Sequence, residues 1–195
     1  MTVAVVDFET TGKHLTDYPV SVGALVVNVD GYTIYPVDSL YSLIRIPDPG
    51  LANDTTHIHG ITPAMVAEAP EPVDVALKFV FLKGDNDIRM LAAWNVAFDR
   101  GFLGRLFEMA GARPPTFRWC ELQVDDYAKL DNYVPYCRCS LVKSLPGHHA
   151  LADCARELAV YADHYGYEVD VESLKQQIVR HMPHVEKKKS MAAEA

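Results

Sequence analysis

Apolar positions along the chain follow two periods, one of strands and one of helices. Residues 2–8 (Thr-Val-Ala-Val-Val-Asp-Phe) form a β-rich apolar run of the kind that fills a buried central strand. A second strand is predicted over 20–29, and Asp30-Gly31 offers a type I′ hairpin turn into Tyr32-Thr33-Ile34-Tyr35. A third strand is predicted near 41–46, closed by Pro47-Asp48-Pro49-Gly50. Thr62-Pro63 reads as a helix start, with an N-cap hydroxyl ahead of proline at the first helical position. The period then lengthens. Val73, Leu77 and Val80 or Phe81 recur at helical spacing across 72–83, and residues 89–94 read as a short buried strand. Phe98, Phe102, Leu106 and Met109 share one face of a helix that ends at Gly111. Beyond Pro114-Pro115 a strand-and-helix pair is predicted in 117–130, followed by a helix over 149–164 with Leu151, Ala155, Leu158 and Ala162 inward. A hairpin followed by alternating strand and helix predicts a mixed sheet flanked by helices. The chain reads as one domain over 1–183, with 184–195, including Lys187–Lys189, as a disordered tail.

Composition narrows the class. A chain of 195 residues buries a substantial core, and 49% apolar with 23% charged residues is ordinary for a soluble globular protein. No apolar run reaches the roughly 20 residues that span a bilayer, so no membrane partner is expected. The N-terminus has no basic region and meets Asp7 at once, unlike a signal peptide, so a cytoplasmic location is expected. Cys120, Cys137, Cys139 and Cys154 are then expected as free thiols. Cys137-Arg138-Cys139 lacks the spacing of a zinc knuckle even with His181 and His184 to complete a ligand set, so no structural zinc is expected.

The formal net charge of −8 runs against the basic face usual in nucleic-acid binders. The objection weakens if carboxylates hold metal, because two divalent cations on four acids would bring −8 to −4. An enzyme that grips only a few terminal nucleotides also needs few phosphate contacts.

The acids carry the most information. On a strand, Asp7 and Glu9 point to the same face. Carboxylates so placed repel and raise one another's pKa unless a positive charge lies between them, and a divalent cation with its preference for oxygen ligands supplies one. Taken alone, such a pair is more often a solvated strand end. Asp99 adds an acid in the first turn of a helix, behind Trp94 and Asn95, and Asp153 sits between Leu151 and Ala155 on an apolar helix.

Four segments in order, Asp7-Phe8-Glu9-Thr10-Thr11-Gly12, Ile58-His59-Gly60-Ile61-Thr62, Asn95 with Phe98-Asp99, and His148 with Ala150-Leu151 and Asp153, resemble the DEDDh (DnaQ-like) 3′→5′ exonucleases. That family includes the proofreading epsilon subunit of DNA polymerase III, ribonuclease T and oligoribonuclease, and the resemblance runs over roughly residues 3–165. Cys154 departs from it, standing where the family usually has alanine.

The resemblance implies a ribonuclease H-like α/β fold, with a mixed five-stranded sheet flanked by helices. It also implies hydrolysis of single-stranded DNA or RNA from the 3′ end, releasing nucleoside 5′-monophosphates. Asp7, Glu9, Asp99 and Asp153 would hold two Mg²⁺ or Mn²⁺ ions, and His148 would be the general base that takes a proton from the attacking water. Thr10, Thr11, Gly12, His59, Asn95 and Phe98 would contact substrate, although His59 taken alone reads as a loop histidine bonded to backbone.

His149 is a rival for the base, since a related branch places a tyrosine four residues before its last acid. Residues 149 and 153 share a helical face, whereas His148 must stand free of the helix, which Gly147 would permit. The partners implied are single-stranded 3′ ends, and either a second copy of the chain or a polymerase. The alternatives are a catalytically quiet nucleic-acid-binding module of the same fold, or a phosphodiesterase restricted to very short oligonucleotides. None of the family's acids is missing.

Overall fold

The computed structural model describes residues 1–14, 16–125, 129–183 and 185. Of the tail expected at 184–195, all but Val185 lies outside the described residues, His184 and Lys187–Lys189 included.

The apolar run at the N-terminus forms β1 (Thr2–Thr10), the centre of the molecule. It pairs antiparallel with β2 (Pro19–Asp30), which pairs antiparallel with β3 (Thr33–Leu43). On its other side β1 runs parallel to β4 (Met90–Ala93), and β4 parallel to β5 (Arg118–Glu121). A two-residue strand, β6 (Glu168–Val169), adds to β3, giving a six-stranded mixed sheet in the order β5-β4-β1-β2-β3-β6. The expected sheet had five strands; the sixth is too short for any alternation to announce it.

Helices cover both faces. The short α1 (Thr56–His59) and α2 (Pro63–Ala67) follow β3, and the Thr62 hydroxyl caps α2 by accepting from the Met65 N–H at 3.3 Å, as its Thr-Pro start predicts. Next come α3 (Pro72–Asp85), α4 (Val96–Met109), α5 (Ser140–Lys143), α6 (Ala150–Tyr165) and α7 (Val171–His181). Alternation along β1 divides the interior. Ala4, Val6 and Phe8 pack with α3 and α4, while Val3 and Val5 pack with α6 and α7. Asp7 and Glu9 follow Val3 and Val5 on the α6 side.

Four expectations are corrected. The predicted strands at 32–35 and 41–46 are one strand, β3, whose pairing with β2 shifts register where Val27 faces Pro36 and Val26 faces Asp38. Pro36 has no N–H to donate, and the bulge it occupies interrupted the apolar pattern. The hairpin loop is Gly31-Tyr32, where only Gly31 has positive φ (58°), so it is not the two-positive-φ type I′ turn. Of the helix expected by residue 130, residues 126–128 lie outside the described residues; 122–125 and 129 are not helical, and 3-10 turns follow at Leu130–Asn132 and Val134–Tyr136, the second holding Pro135. On α3 the apolar stripe picked out by its spacing, Val73 and Leu77 with Val80 or Phe81, is exposed, and Val75, Ala76, Phe79 and Leu82 are the buried face. Both sets have helical spacing, and the sheet chose between them.

Candidate active site

Asp7 pairs in register with Gly23 of β2. A Cβ on Gly23 would lie 2.4 Å from the backbone of Ala150 and Leu151, so the first turn of α6 rests directly on the sheet there. This close approach sets Asp153, in that turn, beside the carboxylates of β1. The helix starts where it does because His149 is its N-cap. The ring Nδ1 of His149 accepts from the Ala152 N–H at 3.4 Å, its backbone N–H donates to Asp153 Oδ2 at 3.2 Å, and the ring stacks on Tyr41 at 4.3 Å.

His148 stands outside the helix. Its φ of 56° lies in the left-handed region, which a residue with a side chain occupies at some cost. Its ring presents a nitrogen within 4.8 Å of carboxylate oxygens of both Glu9 and Asp153. Gly147 serves differently from expectation. The left-handed residue is His148 itself, and a Cβ on Gly147 would meet Arg156 Nη1 at 2.8 Å.

Asp99 arrives from the other face. Asn95 caps α4 by accepting from the Phe98 N–H at 3.4 Å, and the Glu121 carboxylate accepts from the Val96 N–H at 3.1 and 3.3 Å. The Asp99 carboxyl lies beside the Phe8 backbone N–H, which opposes part of its upward shift and sets Asp99 near β1 between Asp7 and Glu9. Its Oδ1 is buried without a partner.

A cleft of about 360 Å³ opens over these groups, lined by Asp7, Asp99, His148 and Asp153 with Trp94, Asn95 and Phe98 on its wall. Five residues that sequence reasoning missed complete the lining: Lys129, Leu130, Asp131, Arg156 and Glu157. The buried Arg156 guanidinium donates to Asp153 Oδ1 at 2.5 Å and pairs with Asp131. Charges at 156 and 157 in the otherwise apolar run Leu-Ala-Asp-Cys-Ala-Arg-Glu-Leu-Ala-Val were the available signal.

Crowding acids out of water shifts all of them. Burial raises the Asp7 carboxyl well above the ordinary range, and repulsion from Glu157, Asp99, Glu9 and Asp153 adds to it. Burial, then Asp153, pushes Glu9 up to about 8. Asp99 and Glu157 are likewise raised well above their usual values by burial first, and Asp153 is raised despite the opposing pull of Arg156. Asp99 Oδ1 and Glu157 Oε2 have no hydrogen-bond donor. Mutually repelling carboxylates with orphaned oxygens form a donor set suited to hard divalent cations.

The expected substrate residues divide. Asn95 and Phe98 line the cleft. The Thr10 hydroxyl donates to the Gly12 carbonyl at 2.6 Å, and the Thr11 hydroxyl accepts from the Tyr18 N–H at 3.0 Å, so both serve the turn after β1. Gly12 has its own steric cause, because a Cβ there would lie 2.3 Å from Asp17 Oδ2. His59, at the end of α1, is tied to its surroundings: Nδ1 accepts from the Ile61 N–H and Nε2 meets the Thr55 hydroxyl, both at 3.0 Å. Burial lowers the pKa of His59, and the neighbouring charges of His148 and His57 lower it further.

Cys120, Cys137, Cys139 and Cys154 are free thiols, and Cys154 is fully buried between α6 and the sheet. Among the described residues the cluster of potential metal ligands is Glu9, His148 and Asp153, and none includes a cysteine. No helix among them is long and apolar enough to cross a membrane.

Residues 4–161 match the Exonuclease model of the RNase T family. The chain is 38% identical over 107 residues to the PolC-type DNA polymerase III of Oceanobacillus iheyensis, which covers 55% of this chain and 7% of that protein. Against the PolC-type DNA polymerase III of Bacillus subtilis the identity is 32% over 136 residues, 68% of this chain and 9% of that one. The chain therefore corresponds to less than a tenth of either relative's length. Among solved structures, an apo exonuclease I superposes with a TM-score of 0.58 at 18% identity, covering 98% of this chain and 46% of the other. A zinc-bound complex of Escherichia coli exonuclease I with single-stranded DNA gives 0.55 at 17%, covering 94% and 42%. At such identity the likeness shows the ribonuclease H-like fold.

Proposed function

Because the chain belongs to the RNase T-type exonuclease family, we propose that it is a metal-dependent 3′→5′ exonuclease acting on single-stranded nucleic acid. The observation that carries the reading is His148, held off the helix in a left-handed conformation with its ring at Glu9 and Asp153. Asp7, Glu9, Asp99 and Asp153 would hold two Mg²⁺ or Mn²⁺ ions, which supply the positive charge that activates a water and stabilises the leaving 3′ oxygen. His148, open to the cleft, takes the proton of the attacking water. His149 is engaged as helix cap and Tyr41 stack, which supports His148 as the base. Phe98 and Asn95 on the cleft wall orient the terminal nucleotide, the half-buried phenyl ring offering a face on which a base can stack.

DNA is favoured over RNA, because the matched polymerases are DNA polymerases and the exonuclease I complex holds single-stranded DNA. The polymerase relatives also support a proofreading role, with this unit working beside a polymerase. Convergence of all five family residues supports catalysis over a silent module. The test is matched 5′-labelled single-stranded DNA and RNA, with Mg²⁺ and with EDTA. Stepwise shortening of DNA that EDTA abolishes is expected; internal cuts, or cleavage in EDTA, would overturn the reading.

A further inference from the structure

Beyond the four acids of the family pattern, α6 buries a fifth. Glu157 follows Asp153 by one helical turn, so the two share a face. It is 3% exposed and lines the cleft with Asp7, Asp99 and Asp153. The Trp94 backbone N–H, where β4 has just ended, lies close enough to favour the charged form of Glu157. Its Oε2 meets no donor at all. Of the charged groups acting on Asp7, Glu157 acts most strongly.

Capping the Trp94 amide does not explain a glutamate. Glutamine would face that amide equally well and add no negative charge to a site already crowded with it. An orphaned carboxylate oxygen in the interior is costly unless a cation meets it. Charge balance points the same way. Asp7 with the buried Glu9, Asp99, Asp153 and Glu157 makes five carboxylates, and Arg156 is the buried cation among them. Together they carry −4, the charge that two divalent cations neutralise. Without Glu157, Arg156 would leave the same pair of cations one negative charge short.

We propose that Glu157 is a fifth carboxylate of the divalent-metal centre, one that would help hold a Mg²⁺ or Mn²⁺ ion in the cleft it lines with Asp7, Asp99 and Asp153. The proposal rests on the metal-dependent reading above and adds to it a ligand outside the family's four acids. Arg156 and Glu157 then work as a pair, the arginine steadying Asp153 and the glutamate restoring the charge that the arginine cancels.

The test is Mn²⁺ binding rather than turnover. Metal-free wild type and Glu157→Gln are titrated with Mn²⁺, free Mn²⁺ being followed by electron paramagnetic resonance and Tm recorded before and after loading. Wild type is expected to bind two ions. Glu157→Gln keeps an acceptor for the Trp94 amide, and is expected to bind one of the two about 10–100-fold more weakly. Its metal-free Tm should equal or exceed that of wild type, with a smaller rise on loading. Asp99→Asn, another carboxylate removed from the cleft, is the control. A Glu157→Gln isotherm that superposes on wild type overturns this proposal and leaves the proposed function standing. A wild type that binds no Mn²⁺ overturns both. Should Glu157→Gln fail to fold, Glu157→Met, of similar volume and without charge, is judged by the same criterion.

Discussion

Helices α6 and α3 invert the usual rule in opposite directions. Every residue of α6 from Ala150 to Val160 is buried, yet that stretch includes Asp153, Arg156 and Glu157. Helix α3 shows water a stripe of Val73, Leu77 and Phe81, exposed at 47%, 47% and 64%. The two differ in what lies opposite. Helix α6 rests on β1 and β2 through the gap at Gly23, so its charges reach outward only through the cleft and are held by Arg156. Helix α3 needs only one face for the sheet, and Val75, Ala76, Phe79 and Leu82 fill it. The buried charges of α6 therefore lie at the cleft, whereas the exposed apolar stripe of α3 lies outside its lining.

The sharpest way to break that contrast is His148→Ala. Loss of a general base costs about 10²–10⁴-fold in turnover, measured on 5′-labelled single-stranded DNA, while Tm stays near that of wild type. An active His148→Ala enzyme would remove the α6 end from the chemistry. Next in size, Arg156→Ala leaves Asp153 buried without its cation, and breaking such a pair costs about 3–5 kcal/mol, read from urea unfolding of the metal-free protein. Gly23→Ala drives a methyl group into the start of α6 and should cost about 1–3 kcal/mol as overpacking. It should also lower turnover, because Asp153 moves with the helix; unchanged activity would mean that Gly23 does not set the site.

A gentler effect is the pH dependence of the metal-free protein. Glu9 is shifted from 4.5 to about 8, so the folded protein keeps a proton that the unfolded chain gives up. Stability contributed in this way is complete below the ordinary carboxylate range and is lost as pH rises through about 8. The raised Asp7, Asp99, Asp153 and Glu157 carboxyls act in the same direction. Tm in EDTA should therefore fall as pH rises from 5 to 8, and saturating Mn²⁺ should flatten the decline. The smallest effect belongs to α3, where Leu77→Lys should change stability by less than about 0.5 kcal/mol. Phe79→Ala, two residues along on the buried face, should cost about 3–5 kcal/mol.

Particular residues show which parts of this were legible in one dimension. The alternation of β1 put Asp7 and Glu9 on one face, and the structure keeps them there, because a strand's side-chain direction depends on the local backbone alone. Asn95 and Thr62 cap their helices for the same local reason. The rivalry of His148 and His149 was readable from spacing, but the helix was expected from 149, and only the structure starts it at Ala150 with His149 as its cap. Local patterns misled wherever two were equally good. The outer and inner faces of α3 are both apolar, β3 hides its continuity behind Pro36, and β6 is too short to carry a period at all.

The order of amino acids by itself determined the mixed sheet and its central acidic strand, which rest on local periodicity, while resemblance to a family singled out Asp7, Glu9, Asp99, His148 and Asp153. Tertiary structure decided what surrounds them. Gly23 is an unremarkable strand glycine until α6 lies on it, and Arg156 and Glu157 are ordinary helix charges until packing seals them beside Asp7 and Asp153. Burial turns a charge into a site, and burial is a property of the whole chain.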